Sequence, residues 1–103
     1  MLNPKTCTDM AQLRAQIDQI DKELVALLAL RAKHIDRAIE LKPGEGLPAR
    51  IDARVNDVLD KVTSHSQTNG LDPALARALW SELIDWSIAR EERVLGRNEK
   101  GCE

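Results

Sequence analysis

Two cations in the segment LRAQIDQIDKELVALLALRAKHIDRAIELK (13–42) stand where chemistry could be done. Ile17, Ile20, Leu24 and Leu27 recur in steps of three and four. The same heptad places Arg31 and His34 at its next two seam positions, before Ala38 and Leu41 resume it. A guanidinium in an apolar seam is costly without an anion. That anion is either an internal carboxylate, the plain structural reading, or a ligand. Lys42 lies eleven residues beyond Arg31, about 16 Å along a helix axis and about 20° around it, so their long side chains could converge on a small dianion between them. Arg14 is about 25 Å from Arg31 by the same rise and cannot join it from its own helix. An antiparallel partner helix could bring a second copy's Arg14 there instead.

Further along, Trp80, Ile84, Ser87, Glu91 and Leu95 fall on one helical stripe, which sets a hydroxyl and a carboxyl on an otherwise apolar face. Glu91 is the candidate acid of the chain, and its plain reading is a salt bridge to Arg31 or Lys42. Arg54 adds another cation, although a lone exposed arginine is the commoner case. His34 and His65 have no metal-ligand spacing and are given no role. Trp80 and Trp86 read as core or dimer anchors. The PGEG stretch (43–46) lacks the spacing of a phosphate loop and is at most a hinge or lid.

Three helices must position these residues. Asp9 with Gln12 resembles a capping box, and the first helix follows through residues 13 to 42 until Pro43 and the glycines of KPGEGLP (42–48) stop it. A second helix opens at Pro48 in PARIDARVNDVLDKVTSHSQT, presents Ile51, Val55, Val58, Leu59 and Val62, and ends at Asn69-Gly70. Asp72-Pro73 caps a third that runs to about Leu95, and the tail GRNEKGCE is expected to fray. With no Phe, no Tyr and no sustained alternation, the fold class is all-α. The first helix, thirty residues and roughly 45 Å long, exceeds what one small chain can wrap, since a compact 100-residue domain has a radius of gyration near 13 Å. Its stripe calls for a second copy, as an intertwined homodimer with two-fold symmetry.

Composition narrows the classes. The 103 residues form one domain, 1–103, with 15 Lys plus Arg against 17 Asp plus Glu, which lacks the basic excess of a nucleic-acid binder. Cys7 and Cys102 form neither a disulfide framework nor a paired metal motif and suit a reducing compartment. The N-terminus has no signal-peptide pattern, and the apolar run LVALLAL is too short to span a bilayer, so a cytoplasmic location without membrane contact is expected. No metal or cofactor is expected. A DNA-binding helix-turn-helix is disfavoured by the length of the first helix.

The segment 13–42, with ARIDARV (49–55) after the loop and NGLDP (69–73) before LIDWSIAREE (83–92), resembles the small all-helical chorismate mutases over nearly the whole chain. The likeness extends to their isochorismate-pyruvate lyase branch, including Cys7-Thr8 before the first helix. Arg14, Arg31, Lys42 and Arg54 match the family's charged positions in register. The resemblance implies an intertwined three-helix dimer with two sites, each borrowing Arg14 from the partner copy. It implies that the arginines hold the two carboxylates of a folded, diaxial chorismate while Lys42 and Glu91 contact its ether oxygen. A unimolecular rearrangement needs no nucleophile or metal: restricting conformation and stabilising charge on that oxygen suffice.

Two positions depart from the mutase pattern. Val55 and Ile51 stand where mutases commonly carry acidic acceptors for the ring hydroxyl, which favours isochorismate and its conversion to salicylate and pyruvate. Ser87 and Glu91 are mutase-like instead, since the lyase branch commonly has tyrosine and glutamine there. The resemblance thus implies chorismate mutase, with isochorismate-pyruvate lyase or a 4-amino-4-deoxychorismate mutase as alternatives, and a non-catalytic helical dimerisation module as the remote one.

Overall fold

A computed structural model describes residues 3–96, so the tail from Arg97, with Cys102, lies outside the described residues. Within them the regular structure is helical: a short 3-10 turn at Pro4–Thr6, then α1 (Met10–Glu45), α2 (Asp52–Asn69) and α3 (Pro73–Leu95). Among these, no helix is long and apolar enough to cross a membrane.

The caps explain the boundaries. Asp9 Oδ1 accepts from the Gln12 amide at 2.8 Å, the forward half of a capping box, while Gln12 Oε1 reaches back one residue further than the usual box, to the Thr8 amide at 2.8 Å. Pro43 does not stop α1, contrary to the expectation from sequence. It forfeits its own amide bond but keeps a carbonyl, and that carbonyl accepts from the Gly46 amide while the Lys42 carbonyl accepts from Leu47. This pair of bonds is a Schellman closure, and Gly46, at φ 70°, is the residue that ends the helix. The PGEG stretch is therefore mostly the last turn of α1.

The second helix starts at Asp52, four residues later than Pro48. Its would-be first turn is diverted: the Ala49 carbonyl accepts from Lys42 Nζ at 2.8 Å, and Ile51 is extended at φ −126°. Asn69-Gly70 and Asp72-Pro73 act as expected. Gly70 closes α2 through bonds to Gln67 and Ser66, and Asp72 Oδ1 accepts from Ala74 at 2.9 Å.

The chain divides into two compact units, Met1–His34 and Ile35–Glu103. In the first, no residue of α1 is buried, and the seam is open, with Ile17 at 46%, Leu24 at 51% and Leu27 at 62% exposure. In the second, α2 and α3 pack together and bury Ser66, Ala76 and Ile84. The C-terminal turns of α1 are tied to α3 there by Asp36–Arg90 and Lys42–Glu91.

Hydrogen bonds from Arg90 hold the Asp36 carboxyl below its ordinary value near 3.8, and burial offsets this only in part. A depressed carboxylate contributes stability above its unfolded-state value and loses it as pH falls through the folded one. The difference in melting temperature between wild type and Asp36→Asn is accordingly expected to be present above about pH 4 and to close as the pH is lowered further. A difference independent of pH in thermal melts would contradict the assignment.

Candidate active site

Lys42 and Glu91 come together in the second unit. The last full turn of α1 carries Lys42, and α3 carries Glu91 on the stripe it shares with Ile84 and Ser87, both buried. Lys42 Nζ donates to Glu91 Oε1 at 2.6 Å and to the Ala49 carbonyl at 2.8 Å, so two of the three ammonium donors are fixed by groups on separate elements. The pair is withdrawn from water, with side-chain exposures of 16% and 6%. Such a pair is worth little net against a well-packed apolar one, yet removing one member leaves a buried charge uncompensated. Lys42 is one of the two partners the sequence offered Glu91, and that contact is formed.

Ser87 lies one turn before Glu91 and is buried; its hydroxyl donates to the Leu83 carbonyl at 2.8 Å. The back-bond turns the hydroxyl toward its own helix. Among the described residues no buried side-chain polar atom lacks a partner.

Arg54, in the first turn of α2, is exposed and donates to Asp57 Oδ2 at 2.6 Å, and Lys61 donates to the same oxygen at 3.0 Å. Lys61 and then Arg54 hold the Asp57 carboxyl below its ordinary value. Arg14 and Arg31 belong to the first unit, Arg14 exposed and Arg31 half-buried, seventeen residues apart on one helix. That is about 25 Å, too far for one chain's pair to grip a single small ligand.

Three contributions escaped the sequence reading. The i, i+3, i+7 spacing of Arg54, Asp57 and Lys61, steps of three and four on one helix face, is a legible signal. The Ala49 carbonyl and the Asp36–Arg90 pair have no local signature. Among the described residues, no three His, Cys, Asp or Glu side chains are grouped to hold a metal ion.

Comparison with known proteins bears on this arrangement. Residues 13–92 match the family described as chorismate mutase type II, a span containing all six candidates, Arg14, Arg31, Lys42, Arg54, Ser87 and Glu91. An isochorismate pyruvate lyase of Pseudomonas aeruginosa is 33% identical over 92 residues, covering 88% of this chain and 89% of that protein. A bifunctional chorismate mutase/prephenate dehydratase of Buchnera aphidicola is 29% identical over 89 residues, 86% of this chain and 23% of that protein. A protein of the same description from Aquifex aeolicus is 28% identical over 89 residues, 84% of this chain and 25% of that protein. This chain thus spans about a quarter of each bifunctional relative and nearly the whole of the lyase. Helical throughout its described regular structure and matched by the family over residues 13–92, the chain is an enzyme of this kind and belongs to the chorismate mutase type II family.

Proposed function

We propose that this chain rearranges chorismate to prephenate by conformational restriction and electrostatic stabilisation, without a cofactor. The observation that carries the reading is the Lys42–Glu91 contact, with Ser87 one turn away. As the ether bond of chorismate breaks, negative charge grows on its oxygen. An ammonium already held by Ala49 and Glu91 has a third N–H to offer that oxygen and needs little reorganisation to do so. Arg31 and Arg54, with Arg14 of a second copy, bind the two carboxylates, since the guanidinium fork suits bidentate carboxylate binding and Lys42 suits a single oxygen. The arginines enter on their spacing in the sequence and on family membership.

The second copy is part of the proposal. Ile17, Leu24 and Leu27, each about half exposed, make a seam whose further burial favours association by about 1 to 1.5 kcal/mol per side chain, and a two-fold homodimer covers it with its own counterpart. Residues 1–103 then act as one functional domain. The free Cys7 thiol suits the reducing cytoplasm.

Glu91 serves this reaction by donating to the ether oxygen, which a carboxyl does only when protonated. Its Oε1 takes Lys42, which leaves Oε2 for that contact. Glu91→Gln, whose amide donates without titrating, is expected to keep turnover, and Glu91→Leu to lose it. Turnover lost in the first or kept in the second would refute this role.

A second reading, isochorismate cleavage to salicylate and pyruvate, is favoured by Val55 and Ile51 and by the similarity to the Pseudomonas lyase. Incubation of the purified protein with chorismate and isochorismate separately, with products identified by mass and fluorescence, tests both. Prephenate without salicylate supports the mutase. Faster formation of salicylate and pyruvate makes the lyase primary. Absence of both products overturns the two readings and directs the assay to 4-amino-4-deoxychorismate.

A further inference from the structure

Arg90 and Glu91 are neighbours on α3 and leave it about 100° apart. They reach two residues of α1 six positions apart: Arg90 holds Asp36, and Glu91 holds Lys42. Those anchors are about 9 Å apart along the α1 axis. A single ion pair lets one helix pivot and slide about it, whereas two at separate points restrain both motions. The pairs also run in opposite senses, with α1 supplying the acid in one and the base in the other. A slide or rotation that exchanged partners would set Asp36 against Glu91 and Lys42 against Arg90, like charge against like.

The two pairs differ in exposure. Asp36 and Arg90 have side chains 48% and 38% exposed, so solvent and salt screen their attraction. What this pair supplies is direction. Arg90 Nε meets Asp36 Oδ1 at 2.5 Å, Nη2 meets Oδ2 at 3.2 Å, and the guanidinium carbon lies 5.4 Å from the centroid of the Trp86 ring. A planar fork seated on a carboxylate and resting over an indole is confined to a narrow range of orientations. We propose that Asp36 and Arg90 are positioning residues, a register lock between α1 and α3 that sets the Lys42 ammonium against Glu91. The inference rests on the reading of Lys42 and Glu91 as the catalytic pair, and the lock acts only through them.

The test compares wild type, Asp36→Asn, Arg90→Gln, Arg90→Lys and the exchange variant Asp36→Arg/Arg90→Asp. Four readouts are followed: kcat, KM, melting temperature and the nitrogen-15 signal of the Lys42 ammonium in lysine-labelled protein. Misplacing Lys42 by about an ångström costs turnover rather than ground-state binding, so each single neutralisation should lower kcat about tenfold or more, leave KM within about twofold and abolish the protected ammonium signal. The exchange variant keeps the attraction between positions 36 and 90 but makes the crossed pairing attractive too. It should regain melting temperature without regaining kcat or the signal. Recovery of kcat together with melting temperature would reduce the pair to a simple tie and overturn the proposal. So would neutralised variants that keep both kcat and the signal.

Should the exchange variant not fold, Arg90→Lys decides. It retains charge but loses the fork, so a fall in kcat at unchanged melting temperature supports the lock, and wild-type kcat overturns it. Lys42→Met, run in parallel, reports on the reading beneath: unchanged turnover there overturns the catalytic assignment, while the ammonium signal still decides whether Asp36 and Arg90 hold the contact.

Discussion

Replacing Lys42 with methionine is expected to lower kcat/KM by at least about a hundredfold, and to destabilise the fold by roughly 3 kcal/mol. The two effects have different causes. Loss of a preorganised donor to a developing oxyanion costs about 10²–10³ in rate. The stability loss comes from Glu91, whose side chain is 6% exposed and would be left buried without the ammonium now 2.6 Å away. Removing that carboxyl as well separates them: Lys42→Met/Glu91→Leu should recover most of the stability, because an apolar pair of similar volume replaces a buried ion pair at little net cost. It should recover none of the activity. Denaturant unfolding and steady-state kinetics on the same preparations check both halves. A single variant with wild-type turnover would remove Lys42 from the site, and a double variant that regains activity would show that the pair matters only for stability. Lys42→Arg is a finer probe, since a planar fork keeps the charge yet fits a single oxygen poorly.

The second large effect concerns Arg14 and Arg31. Each replaced singly by alanine is expected to lower activity about a hundredfold or more, through loss of charge-assisted carboxylate binding. Mixing the two inactive proteins, unfolding and refolding them together, should then restore about a quarter of wild-type activity. The figure follows from two-fold symmetry. Random association makes about half the dimers heterodimers, and each of these has one site with both arginines intact and one with neither. If Arg14 served its own chain's site, every site in the mixture would lack one arginine and nothing would be restored. The same seam makes activity depend on concentration, with dilution below the dimer dissociation constant silencing the wild type. A fully active monomer in equilibrium sedimentation would end the shared-site reading, and with it the account of why Ile17, Leu24 and Leu27 lie open in the single chain.

The sequence by itself determined the helices and most of their ends. Asp9 with Gln12, Asn69-Gly70 and Asp72-Pro73 act on amides and carbonyls within a few residues, so their effect is local and legible. Family membership was likewise legible, because charged positions spread along the chain fall in one register. Two boundaries were decided by other bonds. Pro43 stays helical because Gly46 and Leu47 complete the turn around it, and α2 begins late because the Ala49 carbonyl is engaged by Lys42 from another element. The Lys42–Glu91 contact across 49 positions of sequence, and the Asp36–Arg90 clamp across 54, belong to tertiary structure alone. Helical periodicity fixes which residues share a face, but which face meets which is set only when the elements pack, and there the placement of buried charge selects among the pairings that the sequence leaves open.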